Sequence, residues 1–510
     1  MNVQSDLAAA SQQLLLPSEQ ATSRLAADVA DVLAPGDLVT LSGDLGAGKT
    51  AFARALIRHL AGDERLEVPS PTFTLIQSYA LPRLPLVHAD LYRVSEAREL
   101  VELGFEEAIE GAATLLEWPD RAAGMLPADR LDIAFHLVPE LGPNCREARI
   151  TAFGSFVGRT TRMFTVWRFL EQSGFRDTER QFVQGDASTR IYERLVANDG
   201  TAILMNAPRR PDGPPLRNGK PYSAIAHLAE DVRPFVAMAR ALRARGFSAP
   251  EIYAADLNEG LLVLEDLGSQ TVVSDKGTPI QECYATAVDV LVALHRQALP
   301  QTLPIAPRTD HLLPPYDLEA FLIEAELLLD WYVPHRGGTL EPPARSEFFE
   351  LWTVSLRGAL ESSPSWVLRD YHSPNLLWLP QRQGMARVGL LDFQDALFGP
   401  PAYDVVSLLQ DARVDVPQQM EMALLGSYVR ARQASDRNFR AAEFLELYAT
   451  LGTQRATKIL GIFARLDRRD SKPQYLRHLP RVYRYLTRSL AHPSLSALKA
   501  WYDAHIPAPA

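Results

Sequence analysis

The spacing of hydrophobic positions changes several times along this chain. After Ser18, which can cap a helix, Leu25, Val29, Val32 and Leu33 return at helical intervals until Pro35 and Gly36 end the run. Asp37–Ser42 (DLVTLS) reads as a short buried strand, and a glycine-rich loop then leads into a helix over Thr50–Leu60. Further strands are expected at Leu84–His88, Thr114–Trp118 and Arg130–Val138. Strands alternating with helices in this way predict a parallel or mixed α/β sheet. From Gly142 to Thr161, Gly, Pro, Arg and small residues occur without periodicity, so a boundary is placed there. The expected division is a first domain over 14–150, a linker over 151–162 and a second domain over 163–510. New elements begin at Met163, with Trp167, Leu170 and Phe175. Asn206–Lys220 is basic and rich in Pro and Gly, which predicts a long mobile loop. From Tyr316 onward helical patterns dominate, over Glu319–Tyr332, Arg345–Leu360 and most of Asp404 to Ala500.

Bulk composition agrees with more than one domain. A chain of 510 residues is too long for a single hydrophobic core. Its 47% hydrophobic and 22% charged residues are ordinary for a globular protein, and no run of about 18 apolar residues predicts a membrane span. The net charge of −10 argues against a large nucleic-acid grip. Cys145 and Cys283 lie far apart, with no disulfide or metal-ligand spacing, so a reducing cytoplasm is the expected setting.

The first candidate chemistry is GDLGAGKT: Gly43, Asp44, Leu45, Gly46, Ala47, Gly48, Lys49 and Thr50, between a predicted strand and a predicted helix. That context lets backbone N–H groups and a helix N-terminus surround phosphates, Lys49 reach the terminal ones, and the Thr50 hydroxyl bind magnesium. ATP and Mg2+ are therefore the expected cofactors. Hydrolysis needs a second acidic contact and a positioned water. Asp90 and Glu117, both at strand ends, are the candidate carboxylates, and Trp118 either stacks on the base or belongs to the core.

Together with SPTFT at Ser70–Thr74, HADLYR at His88–Arg93 and LLEWPDR at Leu115–Arg121, this motif resembles the TsaE family over roughly Ser18–Arg149. These are P-loop ATPases of tRNA threonylcarbamoyladenosine synthesis. The resemblance implies that Thr50 and Asp90 serve magnesium, that Glu117 acts beside them, that Trp118 lies near the nucleotide, and that Ser70–Thr74 responds to it. It also implies TsaB and TsaD-like partners, with tRNA engaged only indirectly.

A second, unrelated apparatus lies downstream. Asp370 and Asn375 in RDYHSPNL have the D-x-x-x-x-N spacing of a kinase catalytic loop, a carboxylate for the acceptor proton and an amide for magnesium. Asp392 follows the apolar strand Arg387–Leu391, where a second magnesium ligand belongs. Upstream, QGDASTRIYERLV (Gln184–Val196) resembles a nucleotide-covering hairpin. GLLVLEDLG, ending at Gly268, resembles the strand and linker whose backbone would meet adenine around Glu265–Leu267.

The region Met163–Tyr502 thus resembles the aminoglycoside phosphotransferase-like family, a two-lobed protein-kinase-like fold. GDASTR, PAYDVVSLLQDAR and LLDFQDA bring it nearest the AmgK branch, anomeric kinases of N-acetylmuramate and N-acetylglucosamine in cell-wall recycling. The resemblance implies an amino-sugar substrate. One departure stands out: Thr201–Asn206 offers Met205 where such folds carry a phosphate-binding lysine, leaving Arg190 and Lys220 as substitutes. His372 is expected to hold a structural hydrogen bond and His295 to pack at a helix end. Two other readings of the second domain remain open: a kinase of another alcohol, aminoglycoside or choline-like, and a non-catalytic interaction domain suggested by Met205.

Overall fold

Ser18 caps the first helix as its position predicts. In the computed structural model its hydroxyl accepts from the Ala21 N–H at 3.2 Å and begins α1 (Glu19–Val32). The structure describes residues 10–94, 99, 110–122, 124–176, 178–183, 190–198, 200–209 and 213–509. It divides into two units, Met1–Arg176 and Asp177–Ala510.

In the first unit the strands are β1 (Ala10–Leu16), β2 (Leu38–Ser42), β3 (Ile76–Ala80), β4 (Pro85–Asp90), β5 (Ala113–Glu117), β6 (Leu131–Leu137) and β7 (Arg146–Ala152). They lie in the order β1-β7-β6-β2-β5-β4-β3. β2 pairs in parallel with β5 and β6, and β4 with β5, whereas β7 is antiparallel to both β1 and β6. The sheet is therefore mixed. α1, α2 (Lys49–Ala61) and α3 (Phe156–Gln172) contribute to its core, where Leu25, Val29, Phe52, Leu56, Phe135 and Phe156 are buried.

The expected boundary falls inside structure. β7 and α3 occupy most of Gly142–Thr161, and Met163, the expected start of the second domain, is 5% exposed in the core of the first unit. The linker drawn over 151–162 is the end of β7 and the first half of α3.

The second unit opens with an antiparallel sheet of β8 (Glu179–Val183), β9 (Ile191–Ala197), β10 (Gly200–Asn206), β11 (Ile252–Asp256) and β12 (Leu261–Glu265), in the order β11-β12-β10-β9-β8. β8 and β9 are the expected hairpin; its turn over 184–189 lies outside the described residues. In the basic stretch after β10, Asn218 and Gly219 have φ of 51° and 74°, and Arg217 pairs with Lys220. A left-handed Asn-Gly pair gives that part of the expected loop a defined turn.

Three short strand pairs follow, in part from distant sequence: β13 (Thr302–Ala306) with β14 (Thr309–Leu312), β15 (Ser365–Val367) with β18 (Leu397–Gly399), and β16 (Leu376–Trp378) with β17 (Val388–Leu390). The principal helices are α4 (Arg233–Arg243), α5 (Gln281–His295), α6 (Leu318–Leu327), α7 (Ala402–Leu409), α8 (Gln418–Ser435), α9 (Ala441–Asp470) and α10 (Leu479–Leu490). Their apolar faces share one core, including Phe235, Leu291, Phe321, Trp366, Tyr403 and Leu460. The antiparallel β16–β17 pair matters most for chemistry, because it brings the segment after Asn375 against the segment before Asp392.

Candidate active sites

In the first unit, parallel pairing sets the site. Leu41 and Asp90 both lie opposite Glu117 on neighbouring strands, so two carboxylates and the start of the glycine-rich loop emerge at one sheet edge. Carboxyl ends of parallel strands face the ligand crevice in such sheets. The loop demands glycine at Gly43, where φ is 131° and a Cβ would lie 2.3 Å from the Phe135 carbonyl oxygen. Lys49 Nζ donates to the carbonyls of Gly43 and Asp44 at 2.7 and 2.9 Å and lies 3.8 Å from the Trp118 ring centre. Burial lowers the Lys49 pKa, against the opposing pull of Glu117, Asp90 and Asp44. Trp118 is thus beside the loop, with its own backbone at φ 60°.

The Thr50 hydroxyl donates to Glu117 Oε2 at 3.0 Å. Asp90 Oδ2 accepts from Thr72 at 2.7 Å and Ser70 at 3.2 Å, which ties the Ser70–Thr74 segment to the carboxylate expected to serve the metal. Asp90 Oδ1 accepts from the Tyr92 N–H at 2.9 Å. Lys49, Thr50, Asp90, Glu117 and Trp118 are therefore brought together. Leu45, in contrast, points outward at 77% exposure.

Sequence reading passed over two residues here. His88, fully buried, places Nε2 3.0 Å from Glu117 Oε1 and fixes that carboxylate's second oxygen. It lies two residues before Asp90 on β4, so the period of a strand puts both on one face. Arg146, on the unforeseen strand β7, donates from Nε to the Ala47 carbonyl at 3.0 Å and braces the loop from behind Gly48.

In the second unit, Asp370 and Asn375 lie on one turn ahead of β16. Asn375 Nδ2 donates to the Asp370 carbonyl at 3.0 Å and reaches Asp392 Oδ2 at 3.4 Å. The three predicted residues converge. Asp392 has φ 57°, and Arg369, beside Asp370, has φ 71°. Such backbone in non-glycine residues persists only where surroundings enforce it.

Those surroundings are visible. Asp404 on α7, fully buried, accepts from the Leu368 and Arg369 N–H groups at 2.6 and 2.9 Å. Asp411 accepts from the Ser373 N–H at 2.8 Å and its hydroxyl at 2.5 Å. The Arg369 side chain pairs with Glu324, which also pairs with Lys458. None of these supports was foreseen, although Asp404 stands out as a carboxylate inside the apolar run AYDVVSLL.

The charges around Asp370 divide in a useful way. Burial pushes its carboxyl up, but His372, Lys458, Arg455 and Arg369 outweigh it and hold the pKa below the ordinary value. Burial lowers His372 itself, so near neutrality the lysine and arginines carry that effect. His372 Nε2 is 3.5 Å from Arg413 Nη1, in keeping with a structural role. Asp392 moves the opposite way, raised by burial and by Asp370. His295 is buried against the Tyr428 hydroxyl at 2.8 Å, and burial drives its pKa to about 3, as a packing residue.

For the nucleotide end, Met205 is 1% exposed in the core, so that strand position offers no cation. Arg190 Nη1 lies 3.4 Å from Asp392 Oδ1. Lys220, the other candidate, is exposed at the Asn-Gly turn. The Glu265 side chain is tied to Arg243 and Arg382, and its N–H donates to the Glu251 carbonyl at 2.8 Å. Leu267 packs with Leu377 and Leu379, with Leu391 against them, an apolar group bracketing Asn375 and Asp392.

Comparison with known proteins accords with both units. The family model for threonylcarbamoyl adenosine biosynthesis protein TsaE matches residues 16–140. That for the phosphotransferase enzyme family (APH) matches residues 179–445. An N-acetylmuramate/N-acetylglucosamine kinase of Caulobacter vibrioides is 40% identical over 351 residues, 66% of this chain and 95% of the relative. One from Pseudomonas aeruginosa is 35% identical over 319 residues, 61% of this chain and 84% of the relative. A tRNA threonylcarbamoyladenosine biosynthesis protein TsaE of Rickettsia bellii is 40% identical over 128 residues, 25% of this chain and 88% of the relative.

Proposed function

We propose that this chain, which belongs to the TsaE family through its first unit and to the phosphotransferase enzyme family through its second, houses two separate ATP-using sites. The first is an ATPase serving threonylcarbamoyladenosine modification of tRNA. The second phosphorylates the anomeric hydroxyl of N-acetylmuramate or N-acetylglucosamine.

Both donor sets suit magnesium with a nucleotide. Thr50 and Asp90 in one site, and Asn375 and Asp392 in the other, present the hard oxygen ligands this ion prefers. Bound ATP supplies the transferable terminal phosphoryl group. In the first site Lys49 moves from the loop carbonyls to phosphate, and Glu117, held by His88, orients the attacking water. In the second, Asp370 would take the acceptor proton as the sugar oxygen bonds to the terminal phosphorus and the bond from that phosphorus to the departing ADP oxygen breaks, and Arg190 would offset phosphate charge in place of Met205.

The observation that carries the kinase reading is the convergence of Asn375 on both the Asp370 loop and Asp392. It also favours catalysis over a non-catalytic role for this unit. For the first unit, the family supports TsaB and TsaD-like partners, and the net charge of −10 suits protein contact with tRNA engaged only indirectly. No helix among the described residues is long and apolar enough to cross a membrane, and both cysteines are free and buried, in keeping with a cytoplasmic site of action.

The test is transfer by the full chain from ATP to each sugar, read by a reducing-end assay. Loss of one reducing end per phosphate incorporated is expected. A phosphorylated product that still reduces contradicts the anomeric assignment, and transfer only to choline or an aminoglycoside contradicts the amino-sugar one.

A further inference from the structure

Three cations lie behind the catalytic loop of the second unit, and two are already engaged. Arg369 bonds Glu324 and the Ala226 carbonyl, and Lys458 bonds Glu324 at 2.7 Å. Arg455, one turn before Lys458 on α9, is different. It is 4% exposed, yet it makes no hydrogen bond and no ion pair among the described residues. Its Nε is fully buried with no partner, whereas its terminal nitrogens, also without partners, retain contact with solvent. Its Cζ lies 5.7 Å from the Tyr403 ring, and its charge acts on Asp370 and Asp411.

Leaving a nearly buried guanidinium without acceptors is costly, because its five donors have lost water and gained nothing in return. The neighbouring carboxylates balance its charge at a distance but accept none of its hydrogens. A planar oxyanion reaching its terminal nitrogens would satisfy the fork in two-pronged geometry, close enough to the catalytic loop for the Arg455 charge to act on Asp370.

We propose that Arg455 is the anion-recognition residue of the acceptor subsite, binding the carboxylate of an acidic sugar whose hydroxyl is presented to Asp370. The assignment rests on the amino-sugar kinase reading above. Within that reading it sorts the two sugars. N-acetylmuramate carries a lactyl carboxylate that N-acetylglucosamine lacks, while the reacting hydroxyl is the same. Arg455 therefore favours the acidic sugar over the neutral one.

The experiment compares kcat/KM for both sugars in the full chain and in Arg455→Met, which keeps length and removes charge. A charge-assisted contact of this kind corresponds to a loss of about tenfold or more on N-acetylmuramate, entering mainly through KM. Loss of the Arg455 charge near Asp370 falls on both sugars alike, so the readout is the ratio of kcat/KM for N-acetylmuramate to that for N-acetylglucosamine, which should fall by about tenfold. Arg455→Lys should recover part of the preference. The wild-type chain gives a check independent of folding: the methyl ester of N-acetylmuramate, uncharged at the same position, should lose a similar factor. Equal losses on both sugars, or equal use of acid and ester by wild type, would overturn the assignment while sparing the kinase. Transfer to neither sugar by wild type overturns the kinase reading and this assignment with it.

Discussion

Arg190 and Asp392 lie 202 residues apart in sequence, and Arg190 Nη1 stands 3.4 Å from Asp392 Oδ1. The cation comes from the position just before β9, the carboxylate from the segment after β17. This contact places positive charge at the proposed metal carboxylate while Met205 fills the core.

Arg190→Gln is therefore expected to raise KM for ATP in the kinase reaction by about tenfold, near 1.4 kcal/mol, with a smaller change in KM for the sugar. Steady-state kinetics with each substrate varied in turn measure this. An unchanged KM for ATP would return the problem of phosphate charge to another residue.

In the first unit, Glu117→Gln keeps shape but removes the charge shared by Thr50 and His88. Nucleotide binding should persist while turnover falls by about a hundredfold, the scale of losing one group that acts in the transition state. His88→Ala should lower turnover less and leave nucleotide affinity near wild type, because it acts only through the Glu117 oxygen. Binding by fluorescence titration and turnover by phosphate release separate the two effects.

Asp404 gives a prediction about stability and pH. Burial raises its carboxyl to about 7, against two backbone N–H donors that favour the ionised form. The folded chain then holds a proton that the unfolded chain, near the ordinary carboxylate value of 3.8, has released. More protons bound in the folded state means that this group's contribution falls as pH rises from 3.8 to about 7. Asp404→Asn removes that slope and leaves the Leu368 or Arg369 N–H without its acceptor. It should cost about 1–3 kcal/mol and lower kcat through the displaced catalytic loop. Thermal melts of both proteins across this pH range test the slope, and wild type should not gain stability relative to the variant as pH rises.

What could be read from sequence was local. The glycine-rich loop is contiguous and flanked by a strand and a helix, so its physics is visible in eight neighbouring residues. D-x-x-x-x-N is similarly compact. Strand β7 was hidden because its inward positions include Ala148 and Ala152, whose burial gives a weak alternation beside Arg146, Glu147 and Arg149. Helix α3 was hidden because Gly158, Thr160 and Thr161 interrupt the stripe that runs from Phe156 to Met163. That is why the boundary was drawn too early. The residues that hold the sites in place lay further out of reach. Asp404, Asp411 and Arg455 act on Asp370 only after α7 and α9 fold back on the loop, and no spacing along the chain encodes that approach.

The central claim is that one chain carries two independent phosphoryl-transfer sites, and paired single-site variants of the full chain test it most directly. Lys49→Ala and Asp370→Asn are each assayed for ATP hydrolysis with TsaB and TsaD-like proteins present and no sugar, and for loss of reducing ends with sugar present. Lys49→Ala should abolish the first activity and leave the second near wild type, because only one site loses its phosphate cation. Asp370→Asn should do the reverse, with the fall in kcat rather than in affinity for ATP. If either folded variant loses both activities together, the two sites are not independent and the account is wrong.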